Sequence, residues 1–68
     1  MNDINKNNQE LFINYPDILS VAQLMEILQI GRILAYKLIE EKKVKALKIG
    51  REYKIIKNSV LEFINNGG

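Results

Sequence analysis

The stretch that decides the fold is LSVAQLMEILQIGRILAYKLI, residues 19–39. Ser20 and Gln23 have the spacing of a capping box, which predicts that a helix begins at this serine. Leu19 and Leu24 lie at the two positions of a hydrophobic staple around the same cap. Apolar residues then recur at helical spacing. The sequence therefore predicts a short first helix that ends near residues 29–31.

A second helix is predicted from Arg32 to about Lys43. Gly31 can end the first helix or begin the second, because glycine tolerates both a positive φ and the N-cap position. Ile33 and Lys37 fall on the face opposite the apolar one. The apolar face consists of Ala35, Leu38, Ile39 and Lys42. The aliphatic part of this lysine can lie on the face while its charge reaches solvent. Two short helices joined through a glycine predict a helix-turn-helix.

A β-hairpin and a last helix are predicted after the second helix. Residues 47–49 and 53–55 each alternate apolar, lysine and apolar, and residues 50–52 between them contain a glycine. Asn58 or Ser59 can cap the last helix. Its apolar stripe consists of Val60, Leu61, Phe63 and Ile64.

The register of the hairpin is predicted from the residues that share a face. A three-residue loop pairs Ile49 with Tyr53 and makes one face wholly apolar. A two-residue turn at residues 50–51 would instead place this isoleucine opposite an acidic residue and mix the faces. We therefore expect the three-residue loop, which puts Lys48 opposite Lys54. Like charges in that arrangement are destabilising unless something such as a phosphate backbone neutralises them.

Length and composition exclude several classes of protein. The chain has 68 residues, which suits one small domain, and it has neither cysteine nor histidine. Disulfides, thiolate metal sites and histidine catalysis are therefore excluded, and we expect no metal and no other cofactor. Glu40 and Glu41 are adjacent and face different ways, so they are not a working carboxylate pair, and we expect no enzyme.

The organisation of the chain is predicted to be simple. Residues 1–18 are predicted to form a partly flexible N-terminal arm, and residues 19–66 the folded domain. No apolar run exceeds four residues, so no segment is expected to span a membrane. The bias towards Lys, Asn and Ile resembles an AT-rich bacterial genome. We expect a cytoplasmic protein of bacterial, phage or mobile-element origin.

Charge is unevenly distributed along the chain. Residues 1–31 contain one basic and four acidic residues, whereas residues 32–68 contain nine basic and four acidic ones. Seven of the basic residues lie within 42–57, opposed there only by Glu52. A basic stretch of this kind is the electrostatic footprint of nucleic-acid binding, and a solvated lysine-rich surface is the alternative.

Five short segments carry a resemblance to a known family: LSV (19–21), LQIGR (28–32), AYKLI (35–39), KIGR (48–51) and KI (54–55). In them the chain resembles the excisionase-type DNA-binding domains, relatives of the winged-helix domains of MerR-like regulators. The resemblance extends over residues 19–64. The chain departs from it at Ile33 and Leu34, where the family usually has small polar residues, and at Lys42, where it often has glycine.

The resemblance implies a fold and a mode of binding. The fold is a winged helix-turn-helix, mostly α with a small β-hairpin wing, in the order helix, turn, helix, hairpin, helix. The second helix would enter the major groove of double-stranded DNA, and the wing would reach the adjacent minor groove or backbone. A tyrosine-type integrase or another DNA-bound protein would assemble on the same DNA.

The second helix supplies four candidate DNA contacts. Arg32 is placed for a phosphate or a guanine edge. Lys37 lies at the centre of the exposed face, although it could instead pair with Glu41. Tyr36 matches the aromatic residue of the family that presents its hydroxyl to the DNA backbone, and a half-buried packing tyrosine is the alternative. Ile33 can pack on a thymine methyl group, unless it is simply an exposed residue.

The wing supplies three further candidates. Arg51 at the tip of the hairpin is the best candidate for insertion into a minor groove, because arginine is favoured in narrow minor grooves. Lys48 and Lys54 are candidates for phosphate contacts on the expected register. Tyr53 is expected to belong to the core.

These observations predict an excisionase-like protein that binds and bends double-stranded DNA as a recombination directionality factor. Two alternatives remain open. One is a small MerR-like transcriptional regulator. The other is a protein-interaction module that keeps the fold and docks a partner on Ile33 and Leu34.

Overall fold

The computed structural model of the chain describes residues 14–67 and confirms the predicted fold class. Three helices and a small antiparallel sheet form a winged helix-turn-helix. Residues 1–13 of the predicted arm lie outside the described residues. The elements, in chain order, are β1 (Ile18–Leu19), α1 (Val21–Leu28), α2 (Arg32–Glu40), β2 (Ala46–Ile49), β3 (Glu52–Ile56) and α3 (Lys57–Asn65).

The start of α1 is the predicted capping box. The backbone N–H of Gln23 donates to the Ser20 hydroxyl at 3.1 Å, and the Gln23 side chain accepts from the Ser20 N–H at 2.9 Å. Leu19 and Leu24, the predicted staple, are both fully buried. The helix ends where Gln29 adopts the left-handed conformation. Local sequence therefore determines both ends of this helix.

The second helix, α2, begins where it was predicted and ends earlier. Gly31 is its N-cap residue, and Glu40 is its last residue. The predicted end near Lys43 is wrong because Lys42 has a φ of 62° and interrupts the helix. This lysine therefore lies beyond the apolar face of α2 rather than at its edge.

The register of the β2–β3 hairpin differs from the predicted one. Ile49 pairs with Glu52, which leaves a two-residue loop of Gly50 and Arg51 in place of the expected three-residue loop. Gly50 has a φ of 65°, which glycine adopts without hindrance. A two-residue loop with such a residue matches the twist of the flanking strands. The geometry of the turn thus outweighs the advantage of a wholly apolar face.

The observed register redistributes the side chains of the wing. Lys48 lies opposite Tyr53, and Lys54 lies opposite Leu47, so the predicted pairing of the two lysines is wrong. The two lysines face opposite sides of the sheet, since side chains alternate along a strand. Lys54 forms an ion pair of 3.0 Å with Glu52, which shares its face.

A third strand, β1, was not predicted from the sequence. It pairs with β3 through Leu19 opposite Ile55, and the order of the sheet is β1–β3–β2. Both of these side chains are fully buried. A strand of two residues is too short to show a periodic pattern, which is why only the hairpin was predicted. The strand leaves β3 central and β2 at an edge.

The last helix, α3, follows β3 directly. Its N-cap residue is Ile56, so the predicted caps at Asn58 and Ser59 are wrong because both residues already lie in the first turn. The buried Ser59 hydroxyl donates to the Ile56 carbonyl at 2.7 Å and accepts from the Lys45 N–H at 2.9 Å. The serine therefore fastens α3 to the start of β2.

The core draws on every helix and on strands β1 and β3. Tyr15, which precedes β1, packs against this core, and its hydroxyl donates to the Glu26 carboxylate at 2.9 Å. That hydrogen bond raises the pKa of Tyr15 above its usual value. The buried apolar residues of the core are Leu19, Val21, Leu24, Ala35, Ile39, Val44, Ile55 and Val60.

Candidate nucleic-acid interface

The outward face of α2 is formed by residues on the side opposite its buried positions. Ala35 and Ile39 point into the core, and this fixes which side of the helix faces solvent. Arg32, Ile33 and Lys37 are exposed, and Ile33 is 87% exposed. The predicted outward orientation of Ile33 and Lys37 is therefore confirmed, and Arg32 is exposed as the first residue of the helix. Contact of these three side chains with DNA stays a prediction.

Tyr36 connects α2 to the wing. Its ring contacts the ring of Tyr53 edge to face, with centroids 5.7 Å apart and planes at 61°. The Lys48 ammonium lies 5.6 Å from the centroid of the Tyr53 ring on β3. Aromatic edge contacts and cation–π contacts each stabilise such an arrangement. A helix residue, a strand residue and a wing lysine therefore form one continuous cluster.

Both tyrosines are partly buried at the rim of the core. The expectation that Tyr53 belongs to the core therefore holds in part, because its ring also supports Lys48 at the surface. Half-buried packing was one of the two alternatives for Tyr36. Its hydroxyl forms no hydrogen bond within residues 14–67, which leaves that group available to a ligand.

Arg51 lies at the tip of the wing, on the same side as the tyrosine cluster. A shallow groove is lined by the wing tip, by Tyr36 and Tyr53, and by Ser20 and Val21 at the start of α1. The position of the start of α1 beside the binding face was not predicted from the sequence. The capping box was the available signal, since it marks the N-terminus of the first helix of the helix-turn-helix.

The candidate lysines and arginines differ in whether they form an ion pair. Within the described part of the chain, Arg32, Lys37, Lys48 and Arg51 form no ion pair. Lys54 is the exception, because Glu52 neutralises it at 3.0 Å and its side chain faces the other side of the sheet. The structure thus groups the wing candidates Lys48 and Arg51 with Tyr36 of α2, and it separates Lys54 from them.

The fold and this surface together define a winged helix-turn-helix protein. A family model described as a helix-turn-helix domain matches residues 18–68, which is most of the chain. The chain belongs to this family of excisionase-like helix-turn-helix domains, and it is accordingly a domain that binds double-stranded DNA. Searches among curated proteins and among solved structures found no match.

Membrane-spanning helices and metal-binding clusters are both absent from the described residues. No helix within residues 14–67 has the length and apolar character needed to cross a membrane. In the same residues, no group of three acidic, histidine or cysteine side chains is placed to hold a metal ion.

Proposed function

We propose that this protein is an excisionase-type recombination directionality factor. It binds a specific site on double-stranded DNA, bends the DNA, and so allows a tyrosine-type integrase to assemble beside it. The observation that carries the proposal is the contact between Tyr36 and Tyr53, which holds α2 and the wing in one fixed arrangement. A helix in the major groove and a wing on the adjacent backbone require such an arrangement.

Each side chain of the interface has a proposed role. Arg32 and Lys37 contact phosphates or base edges from α2, and Lys48 contacts a phosphate from the wing. Arg51 enters the adjacent minor groove, where arginine is attracted by the negative potential of narrow grooves. The Tyr36 hydroxyl donates to a backbone phosphate. We propose no catalytic role for any of them, and no cofactor.

Bending of the DNA is tested with a duplex of about 30 base pairs that carries a fluorescent donor and an acceptor at its ends. The site itself comes first from selection on random duplexes. Binding is expected to raise the energy transfer between the two ends, because α2 and the wing engage neighbouring grooves together. Unchanged transfer at saturating protein would contradict the architectural role and leave a simple DNA-binding regulator of the MerR-like kind.

Ile33 is proposed to read one thymine by packing on its methyl group. The side chain is 87% exposed at the front of α2, where nothing else in the described structure covers it. Uracil lacks only that methyl group, so replacing one thymine of the selected site by uracil should weaken wild-type binding about fivefold, or ~1 kcal/mol. The variant Ile33→Ala should lose this sensitivity.

Leu34→Ala is the matched control for this test. Leu34 is the neighbouring apolar residue and is 45% exposed, and its variant should keep the sensitivity to uracil. If no single uracil weakens wild-type binding, Ile33 does not read a methyl group. Its exposure would then favour the third candidate function, a partner-docking surface on Ile33 and Leu34.

A further inference from the structure

The outer edge of β2 presents free backbone groups. The Lys45 carbonyl accepts from the Ile56 N–H at 2.9 Å, so the backbone of Lys45 faces β3. Along an antiparallel strand, the N–H and C=O groups of successive residues point alternately towards and away from the paired strand. The N–H and C=O groups of Ala46 and Lys48 therefore point away from β3. Within residues 14–67, no strand pairs with that side of β2. An unpaired edge of this kind can accept another strand.

A largely apolar groove runs beside the same edge. It lies between the end of α2 and the hairpin, and Ile39, Ala46, Leu47 and Ile56 contribute to its lining. Leu47 is 61% exposed, a consequence of the two-residue loop that turned it away from the core. The groove therefore offers apolar surface next to free hydrogen-bonding groups.

The rim of the groove is positively charged. Lys42, Lys45 and Lys48 line it, against Glu40 alone among acidic residues. Lys42 and Lys45 are absent from the proposed DNA-binding face, whereas Lys48 and Tyr53 belong to both surfaces. The rim therefore has a charge that the proposed DNA contacts do not account for.

We propose that the edge of β2 binds an extended segment of a partner protein that alternates apolar and acidic residues. The segment adds a fourth strand to the sheet through the backbone groups of Ala46 and Lys48. Its apolar side chains contact the groove, and its carboxylates approach the lysine rim. This inference does not depend on the proposed recombination role.

Two other occupants fit the edge less well. A DNA phosphate only accepts hydrogen bonds, so it leaves the outward carbonyls of Ala46 and Lys48 unpaired and gains nothing from the apolar lining. A second copy of this chain, paired through its own β2, brings lysines of the two edges close together. Like charges at such a distance are destabilising.

The experiment selects random heptapeptides on the immobilised full chain with duplex DNA present in excess. Selected peptides are expected to alternate apolar residues with Asp or Glu. Ala46→Pro removes the outward N–H without touching the ladder to β3, a position that a strand edge tolerates. This variant should bind the selected peptides about tenfold or more weakly, because a backbone hydrogen bond is lost and the added strand is displaced.

Ala46→Ser is the matched control, because it keeps the N–H and should keep peptide binding. Thermal unfolding and DNA affinity establish that each variant is folded. Lys45→Glu is a second variant, which should abolish the preference for acidic peptides without altering the backbone edge.

Three results would overturn the proposal. One is selection of peptides without acidic residues, and another is equal binding of the selected peptides by folded Ala46→Pro protein. The third is concentration-dependent dimerisation that Ala46→Pro abolishes, which would assign the edge to a second copy. None of these results would alter the DNA-binding function, since DNA affinity is measured separately.

Discussion

Replacing Arg32 and Lys37 together by alanine is expected to weaken DNA binding about 100-fold at moderate salt. Lys37 lies on the outward face of α2, and Arg32 is exposed at its first position. Neither side chain forms an ion pair within residues 14–67, so both charges are available to phosphates or bases. Hydrogen bonds to charged groups contribute about 1.5–3 kcal/mol each, which corresponds to about tenfold or more per contact. The measurement is a fluorescence titration of labelled duplex DNA with each protein.

The matched control is the double replacement of Lys42 and Lys43 by alanine. It lowers the net charge by the same amount, and both side chains are exposed beyond the end of α2. Its effect on affinity should be several times smaller. An equal loss in both double variants would mean that binding follows net charge rather than the face of α2.

Replacing Arg51 by alanine is expected to weaken DNA binding about tenfold, whereas Lys54→Ala should have a much smaller effect. Arg51 is a cation at the wing tip that forms no ion pair within the described residues. The charge of Lys54 is already neutralised by Glu52 at 3.0 Å, and its side chain lies on the other face of the sheet. The same titrations measure both variants.

Thermal unfolding provides the control for Arg51→Ala. The side chain is exposed in a loop, so the free energy of unfolding should change by no more than about 0.5 kcal/mol. A larger loss of affinity for Lys54→Ala than for Arg51→Ala would contradict the observed wing geometry. It would favour the opposite face of the wing as the DNA-binding surface.

The helices could be predicted from the sequence because their signals are local. The capping box joins Ser20 to Gln23 within a single turn, and the identity of the N-cap follows from two side chains. The buried face of α2 follows from helical periodicity, and this also fixes the outward side of Ile33 and Lys37. Most of the α2 part of the candidate interface could therefore be predicted from the sequence alone.

The wing could be predicted only in outline, because its register depends on competing effects. An apolar face favoured the three-residue loop, whereas the conformation of Gly50 favours the two-residue loop that is observed. The observed register places Leu47 at the surface rather than on an apolar inner face, and it puts Lys48 and Lys54 on opposite faces of the sheet. No local pattern indicated that β1 pairs with β3 or that Ser59 bonds to Lys45.

The central claim is that the surface formed by α2 and the wing binds double-stranded DNA through the cations that form no ion pair within residues 14–67. A titration of the wild-type protein on mixed-sequence duplex across a series of salt concentrations tests it most directly. Four cations, Arg32, Lys37, Lys48 and Arg51, predict that the logarithm of affinity falls with the logarithm of salt at a slope of about −4. Absence of binding at ~50 mM salt, or a slope near zero, would contradict the account.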